Sequence, residues 1–391
     1  MPKQFRFQPI EPLVPERIRE ARSARGMTAI DLASCVGVTR QAISKYELGI
    51  TEPSSIVMNE IARCLNMPIA FFYKPLSTPD NRGTVFFRSL KTNAVRAKDI
   101  LSAKIQWASE LAKILSEEIL FPDVDLPALP EKFSQSTVYS YDDIEEITIH
   151  LRKYWKLGTA PISNMSRLLE SHGVVVASVK TGFSETDACS AVIGGRPFIF
   201  LDMQKECAVR TRFNMAHELG HLLLHQDISQ MELEDKKTLD RIEREANQFA
   251  SCFLLPRVPF LLDIRSTSLT SFLPLKAKWK VSIQAMVYRC RELEVFSENQ
   301  MIYIQKQISA KRWRKSEPYD DEWPCENTVV LRTAIQMLID RGDYTKEEFV
   351  ALLRLPSRDI EEICSLPNEY LNTETQAKPI VIDFNSRKNN L

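Results

Sequence analysis

No segment of the chain approaches the roughly 18 uninterrupted apolar residues that a membrane-crossing helix needs. The opening residues, Met1-Pro2-Lys3-Gln4-Phe5-Arg6, lack the apolar run of a secretion signal. Neither sign of charge prevails: 51 Lys and Arg stand against 51 Asp and Glu. Any nucleic-acid contact must therefore be local. Glycine is scarce, with 11 residues against 21 prolines, which favours helices joined by stiff connections. None of the eight cysteines stands in a Cys-x-x-Cys pair. Scattered singly, they read as reduced thiols of a cytoplasmic protein, and neither a disulfide framework nor a Cys-based zinc finger is expected.

What is present suggests two or three domains in 391 residues, since domains run to about 100–200 residues each. The first is compact and helical. Thr28 stands as a helix cap with Asp31 three residues on, near a capping box. A helix over 29–35 follows, and Gly37 supplies the permissive residue of a tight turn. Thr39 caps a second helix through Arg40-Gln41-Ala42-Ile43-Ser44-Lys45-Tyr46-Glu47, which Gly49 ends. Pro53 and Ser54 open another, with Ile56, Ile61, Ala62 and Leu65 as its apolar face. Two short helices about a glycine turn form a helix-turn-helix layout. Its second helix exposes Arg40, Gln41, Ser44 and Lys45, side chains suited to base edges and phosphates. Residues 1–75 carry ten Lys and Arg against seven Asp and Glu, a local excess of +3. A plain helical bundle with a solvated polar face is the weaker alternative, because the caps, the turn and the polar identities agree. The run from Met27 to Ser54 resembles the XRE-type helix-turn-helix domain of phage repressor and Cro proteins over about residues 14–73. The resemblance implies a five-helix domain that binds operator DNA through residues 28–50, usually as a dimer.

A linker over 74–95 and a long helix over 94–120 follow. The helix is expected to pack between domains or to form a dimer seam, with packing the favoured outcome. Helices over 142–155 and 162–172 and strands over 174–179, 190–193 and 197–201 then precede Ala216-His217-Glu218-Leu219-Gly220-His221. Histidines four apart on a helix share one face, so His217 and His221 can both reach one Zn²⁺. Glu218 is offset by one position and can reach a water at the metal as a general base. Gly220 is expected to leave room beside the metal, and an edge strand to pair with an extended peptide substrate.

A catalytic zinc needs a third protein ligand. Downstream, Glu243 and Asn247 share one helix face. Glu243 is favoured as that ligand, with Glu245 its rival about 200° round the helix. Asn247 can bond the far nitrogen of a ligand histidine and fix its tautomer. His225 continues the histidine row and is expected behind the ligands or at the surface. The Met-turn arrangement is disfavoured because Asp227 stands where its third histidine belongs. His217-Glu218-x-x-His221 together with Glu243-Arg244-Glu245-Ala246-Asn247 and Leu254-Leu255-Pro256 resembles the ImmA/IrrE zinc endopeptidases over roughly 140–300. The resemblance implies cleavage of a transcriptional repressor or antitoxin in stress response or mobile-element control.

The expected fold class is mainly α with a small β-sheet, that is, α+β. A helix-turn-helix domain (1–75) is followed by a linker and connecting helix (76–138), a zincin-like domain (139–310) and a helical C-terminal extension with a mobile tail (311–391). The expected function is a cytoplasmic, DNA-binding regulator with a zinc-dependent endopeptidase domain and no membrane partner. A non-proteolytic transcription factor or antitoxin, whose zincin domain senses or binds a protein, is the alternative.

Overall fold

The computed structural model describes residues 11–76, 86–87, 94–180, 182, 188–202, 207–229 and 231–372. Its N-terminal unit is shaped by helix caps. Helix α1 (Pro15–Ala24) starts on proline, whose missing N–H is unneeded in a first turn. Helix α2 (Ala29–Val36) starts at Thr28, and the Asp31 carboxylate closes a full capping box. Gly37, at φ 74°, ends it in the left-handed region. The hydroxyl of Thr39 caps α3 (Arg40–Glu47) and that of Ser54 caps α4 (Ser55–Cys64). The fifth helix implied by the resemblance is a short 3-10 turn, Ile69–Tyr73.

Two expectations fail here. Ile56 does not belong to the apolar face of α4: it is 79% exposed, and Met58, Ile61 and Ala62 take the buried positions. Ile56 is two positions from Met58, about 200° round the helix, and so faces away from the core. The cysteines are not all free, because Cys35 and Cys64 form a disulfide with Cα atoms 6.4 Å apart. Helices α2 and α4 pack together and bring these two positions face to face. Spacing along the chain could not show that.

After β1 (Phe86–Phe87) comes the long helix α5 (Ala94–Glu118). Trp107, Leu111 and Leu115 are fully buried, so α5 is a packed core element. Helices α6 (Tyr141–Tyr154) and α7 (Met165–Ser171) lead to strands β2 (Val175–Val179), β3 (Ala188–Ile193) and β4 (Arg196–Asp202). The β3–β4 hairpin turns at Gly194 and Gly195, at φ 57° and 77°, values that suit glycine. The sheet order is β1-β3-β4-β2. β2 runs parallel to β4, while β1 and β4 flank β3 antiparallel. The outer edge of β3 is thus occupied: Phe86 lies opposite Ser190 and Phe87 opposite Cys189.

Helices α8 (Ala208–Leu224) and α9 (Lys236–Leu254) lie below the sheet. They are followed by α10 (Arg257–Asp263), α11 (Phe272–Trp279), α12 (Ile283–Glu292) and α13 (Glu298–Ala310). Ser282 caps α12, and Trp279, Ile283, Met286 and Val287 are buried against the sheet-and-helix core. Three further helices close the described chain: α14 (Val330–Asp340), α15 (Lys346–Leu353) and α16 (Ser357–Ile363).

Strand alternation divides the interior into two cores. Val175, Ala177, Val179, Cys189, Ala191, Phe198 and Phe200 face a core shared with α1–α5 and α14–α16. Val174, Val176, Ala188, Ile199 and Leu201 face the core of α6–α13. The packing therefore crosses the boundaries expected near 75, 138 and 310. Polar ties follow the same route. Buried Arg17 of α1 meets Glu110 of α5 at 2.8 Å, Arg25 meets Asp359 of α16 at 2.7 Å, and Lys104 of α5 pairs with Glu362.

A candidate metal centre and a candidate DNA-reading helix

The metal centre rests on the crossing of α8 and α9. Gly220 makes that crossing close: a Cβ at this position would meet the Phe249 Cβ, Cγ and Cδ1 atoms at 3.1 Å. The space that Gly220 leaves is therefore filled by α9, and not by room beside a metal as expected.

His217 and His221 stand one turn apart on α8, and their Nε2 atoms are 3.0 Å from each other. Across the crossing, Glu243 Oε2 lies 3.6 Å from His217 Nε2, and Glu243 Oε1 lies 3.4 Å from His221 Nε2. Among the described residues, this is the group of His, Cys, Asp and Glu side chains placed to hold a metal ion. The donor set fits zinc. Two imidazole nitrogens and a carboxylate oxygen are its usual catalytic ligands, and tetrahedral donors roughly 2.0–2.1 Å from one ion stand about 3.3–3.4 Å apart. The observed separations bracket that spacing.

The support around the three donors is specific. Asn247 Nδ2 donates to the Glu243 carbonyl at 2.7 Å, so its Oδ1 is the acceptor facing His217 Nδ1, 3.1 Å away. His217 then carries its proton on Nδ1 and turns the unprotonated Nε2 towards His221 and Glu243, as a metal ligand would. Glu245 turns away from the three donors. Its Oε2 meets His225 Nε2 at 2.9 Å, and Arg241 Nη1 lies 3.2 Å from its Oε1. His225 is fully buried, not at the surface, and its Nδ1 lies 3.0 Å from His221 Nδ1. Burial pushes the His225 imidazole down to about 4. His172 is remote from this cluster; it stacks on Trp155 and its Nδ1 lies 2.8 Å from Asp125 Oδ2.

Glu218 is buried beside the three donors, on the sheet side of α8. Its Oε2 accepts a 2.6 Å hydrogen bond from the Ser190 hydroxyl of β3. Ser190 was not singled out from the sequence. Its signal was available in the β-alternation, which places it with Ala188 on the face towards α8.

In the N-terminal unit, Arg40, Gln41 and Lys45 of α3 are exposed, as is Thr39, while Ser44 is half-buried and Ile43 is fully inside. Thr39 Oγ1 accepts from the Ala42 N–H at 3.2 Å. Arg22 of α1 meets Glu47 at 2.6 Å and anchors the far end of α3. The polar face of α3 is thus presented outward by a fixed base. Among the described residues, no helix is long and apolar enough to cross a membrane.

Two family profiles match the chain. One is a helix-turn-helix domain over residues 18–72, and the other is the M78 peptidase family's IrrE N-terminal-like domain over residues 169–291. An uncharacterized HTH-type transcriptional regulator of Sinorhizobium medicae is 36% identical over 66 residues, 17% of this chain and 48% of that protein. A similarly described regulator of Methanothermobacter thermautotrophicus is 50% identical over 48 residues, 12% of this chain and 70% of that protein. An SPbeta prophage-derived HTH-type regulator of Bacillus subtilis is 30% identical over 59 residues, 15% of this chain and 55% of that protein. The chain spans about half the length of the first of these relatives. It belongs to the helix-turn-helix transcriptional regulators, with an XRE-type DNA-binding domain fused to an IrrE-like domain of the M78 peptidases.

Proposed function

We propose that the protein is a DNA-bound regulator that works as a zinc-dependent endopeptidase on a repressor or antitoxin protein. One observation carries this reading: His217, His221 and Glu243 converge from two helices with Glu218 buried beside them. A zinc ion held by those three residues would supply Lewis-acid polarisation of the scissile carbonyl and acidify the attacking water. Glu218 takes the proton of that water and delivers it to the leaving amine. Asn247 holds His217 in the tautomer that binds, and Ser190 holds the Glu218 carboxylate in place. On DNA, Arg40, Gln41, Ser44 and Lys45 would read base edges and phosphates, with Thr39 setting the start of the helix. Two copies would bind as a homodimer on paired half-sites.

The test is cleavage of a repressor encoded beside this protein. The wild type should cut it, and Glu218→Gln should lose at least about two orders of magnitude in rate, as general-base removal does. Equal cleavage by both proteins would defeat Glu218 as the base, and cleavage by neither would leave a sensing or protein-binding role for the zincin domain.

A further inference from the structure

The strand β1 lies in a revealing place. It is two residues long, comes from the segment that follows the helix-turn-helix unit, and pairs antiparallel with β3 at Cys189 and Ser190. Ser190 is also the residue whose hydroxyl holds the Glu218 carboxylate. The same residue therefore carries the proposed base on one side and β1 along its backbone edge. An extended peptide that presents its carbonyl beside Glu218 would add to a neighbouring sheet edge by backbone pairing. That edge of β3 is taken by the chain itself.

We propose that β1 is an internal occupant of the substrate-binding edge, and that an extended protein substrate must displace it to reach Glu218. This rests on the peptidase reading of the site. The pairing is suited to displacement. Strands β2, β3 and β4 form continuous ladders of five and six residue pairs without β1, whereas β1 contributes two pairs. Such a short ladder gains little net stability from its few backbone bonds. Removing it would expose β3 as an edge, the form of strand that accepts another chain. Substrate binding would then be weakened by the fraction of time β1 stays paired, and anything that pulls on the chain between α4 and α5 would relieve that weakening.

The experiment uses the full chain and a fluorescein-labelled peptide of this protein's own sequence, Gly-Thr-Val-Phe-Phe-Arg-Ser-Leu. Its affinity is measured for the wild type and for Phe86→Pro/Phe87→Pro, which cannot donate the ladder bonds. A second variant, Phe86→Gly/Phe87→Gly, covers the case in which the proline variant folds poorly. Hydrogen exchange of the segment 188–191 is followed in parallel. The expected result is binding at least about 10-fold tighter to the variant than to the wild type. The segment 188–191 should lose protection in the variant and regain it with peptide. Equal affinity for both proteins, no binding to either variant, or unchanged exchange would overturn the proposal. Neither readout needs cleavage. Kept peptide binding by the Phe86→Pro/Phe87→Pro variant together with its failure to cleave would therefore sink the peptidase reading and leave only the displaceable pairing of β1 with β3.

Discussion

At the scale of single residues, the candidate centre depends on which way each side chain of α9 points. Glu243 and Glu245 are two apart and cannot face the same ion. Sequence periodicity left both open, and Asn247 gave the hint, since it shares a face with Glu243. In the structure Glu243 lies among the histidine nitrogens, and Glu245 is tied to His225 and Arg241. Zinc affinity measured by competition with a chromophoric chelator separates the two roles. Glu243→Ala should lose tight binding outright, because two histidines alone leave the ion under-coordinated. Asn247→Ala should weaken zinc by about 10–100-fold, the usual effect of removing a group that orients a ligand histidine. Glu245→Ala should keep the three donors and lose far less than Glu243→Ala. Comparable loss in both glutamate variants would overturn this assignment. Ser190 escaped recognition in sequence, and the histidine row left open whether His225 stood behind the ligands or at the surface, for a shared reason. Each acts through a partner from a distant element or a full turn away, and no spacing rule encodes such a contact.

At the scale of elements, caps and periodicity were legible and contacts between helices were not. Thr28 and Thr39 announced their helices because an N-cap bond is local, closing within three residues. The Cys35–Cys64 disulfide, the filling of the Gly220 gap by Phe249 and the pairing of β1 with β3 all depend on how elements meet. The joint between α1 and α5 makes a quantitative case. Burial alone would raise the Glu110 carboxyl, but Lys74 and Arg17 beside it outweigh that and hold it at about 2, against an ordinary 4.5. A carboxyl depressed in the folded state stabilises the fold above its unfolded pKa, and that contribution disappears as pH falls from about 4.5 towards 2. The shift corresponds to about 3 kcal/mol. Glu110→Gln should therefore lose about that much stability at pH 7, since Arg17 stays buried with a weaker partner. It should also flatten the decline of stability below pH 4.5 in urea titrations. A variant with wild-type stability at pH 7 would show that Arg17 is satisfied by Glu20 and the Lys74 and Pro75 carbonyls alone.

At the scale of the whole molecule, the sequence presents a string of units while the packing presents one sheet with a core on each face. The helix-turn-helix unit is joined to the first core by Phe71, Phe72 and Trp107, and α16 reaches it through Asp359 and Arg25. The metal-site helices occupy the second core, across strands only one layer thick. A ligand that binds the native state alone stabilises whatever unfolds with its site, by about 2.7 kcal/mol at a hundredfold excess over Kd. If the two cores melted separately, zinc would protect only α6–α13. Because β2, β3 and β4 contribute side chains to both, the unfolding of one core strips a face from the other. Zinc at that excess should therefore raise the melting of both cores together. The measurement is hydrogen exchange of α1–α4 and of α8–α9, followed through a urea titration with and without the metal. Coincident transitions that shift by the same amount are expected. A transition in α1–α4 that stays fixed while α8–α9 moves would show that the DNA-reading unit unfolds independently of the candidate metal centre.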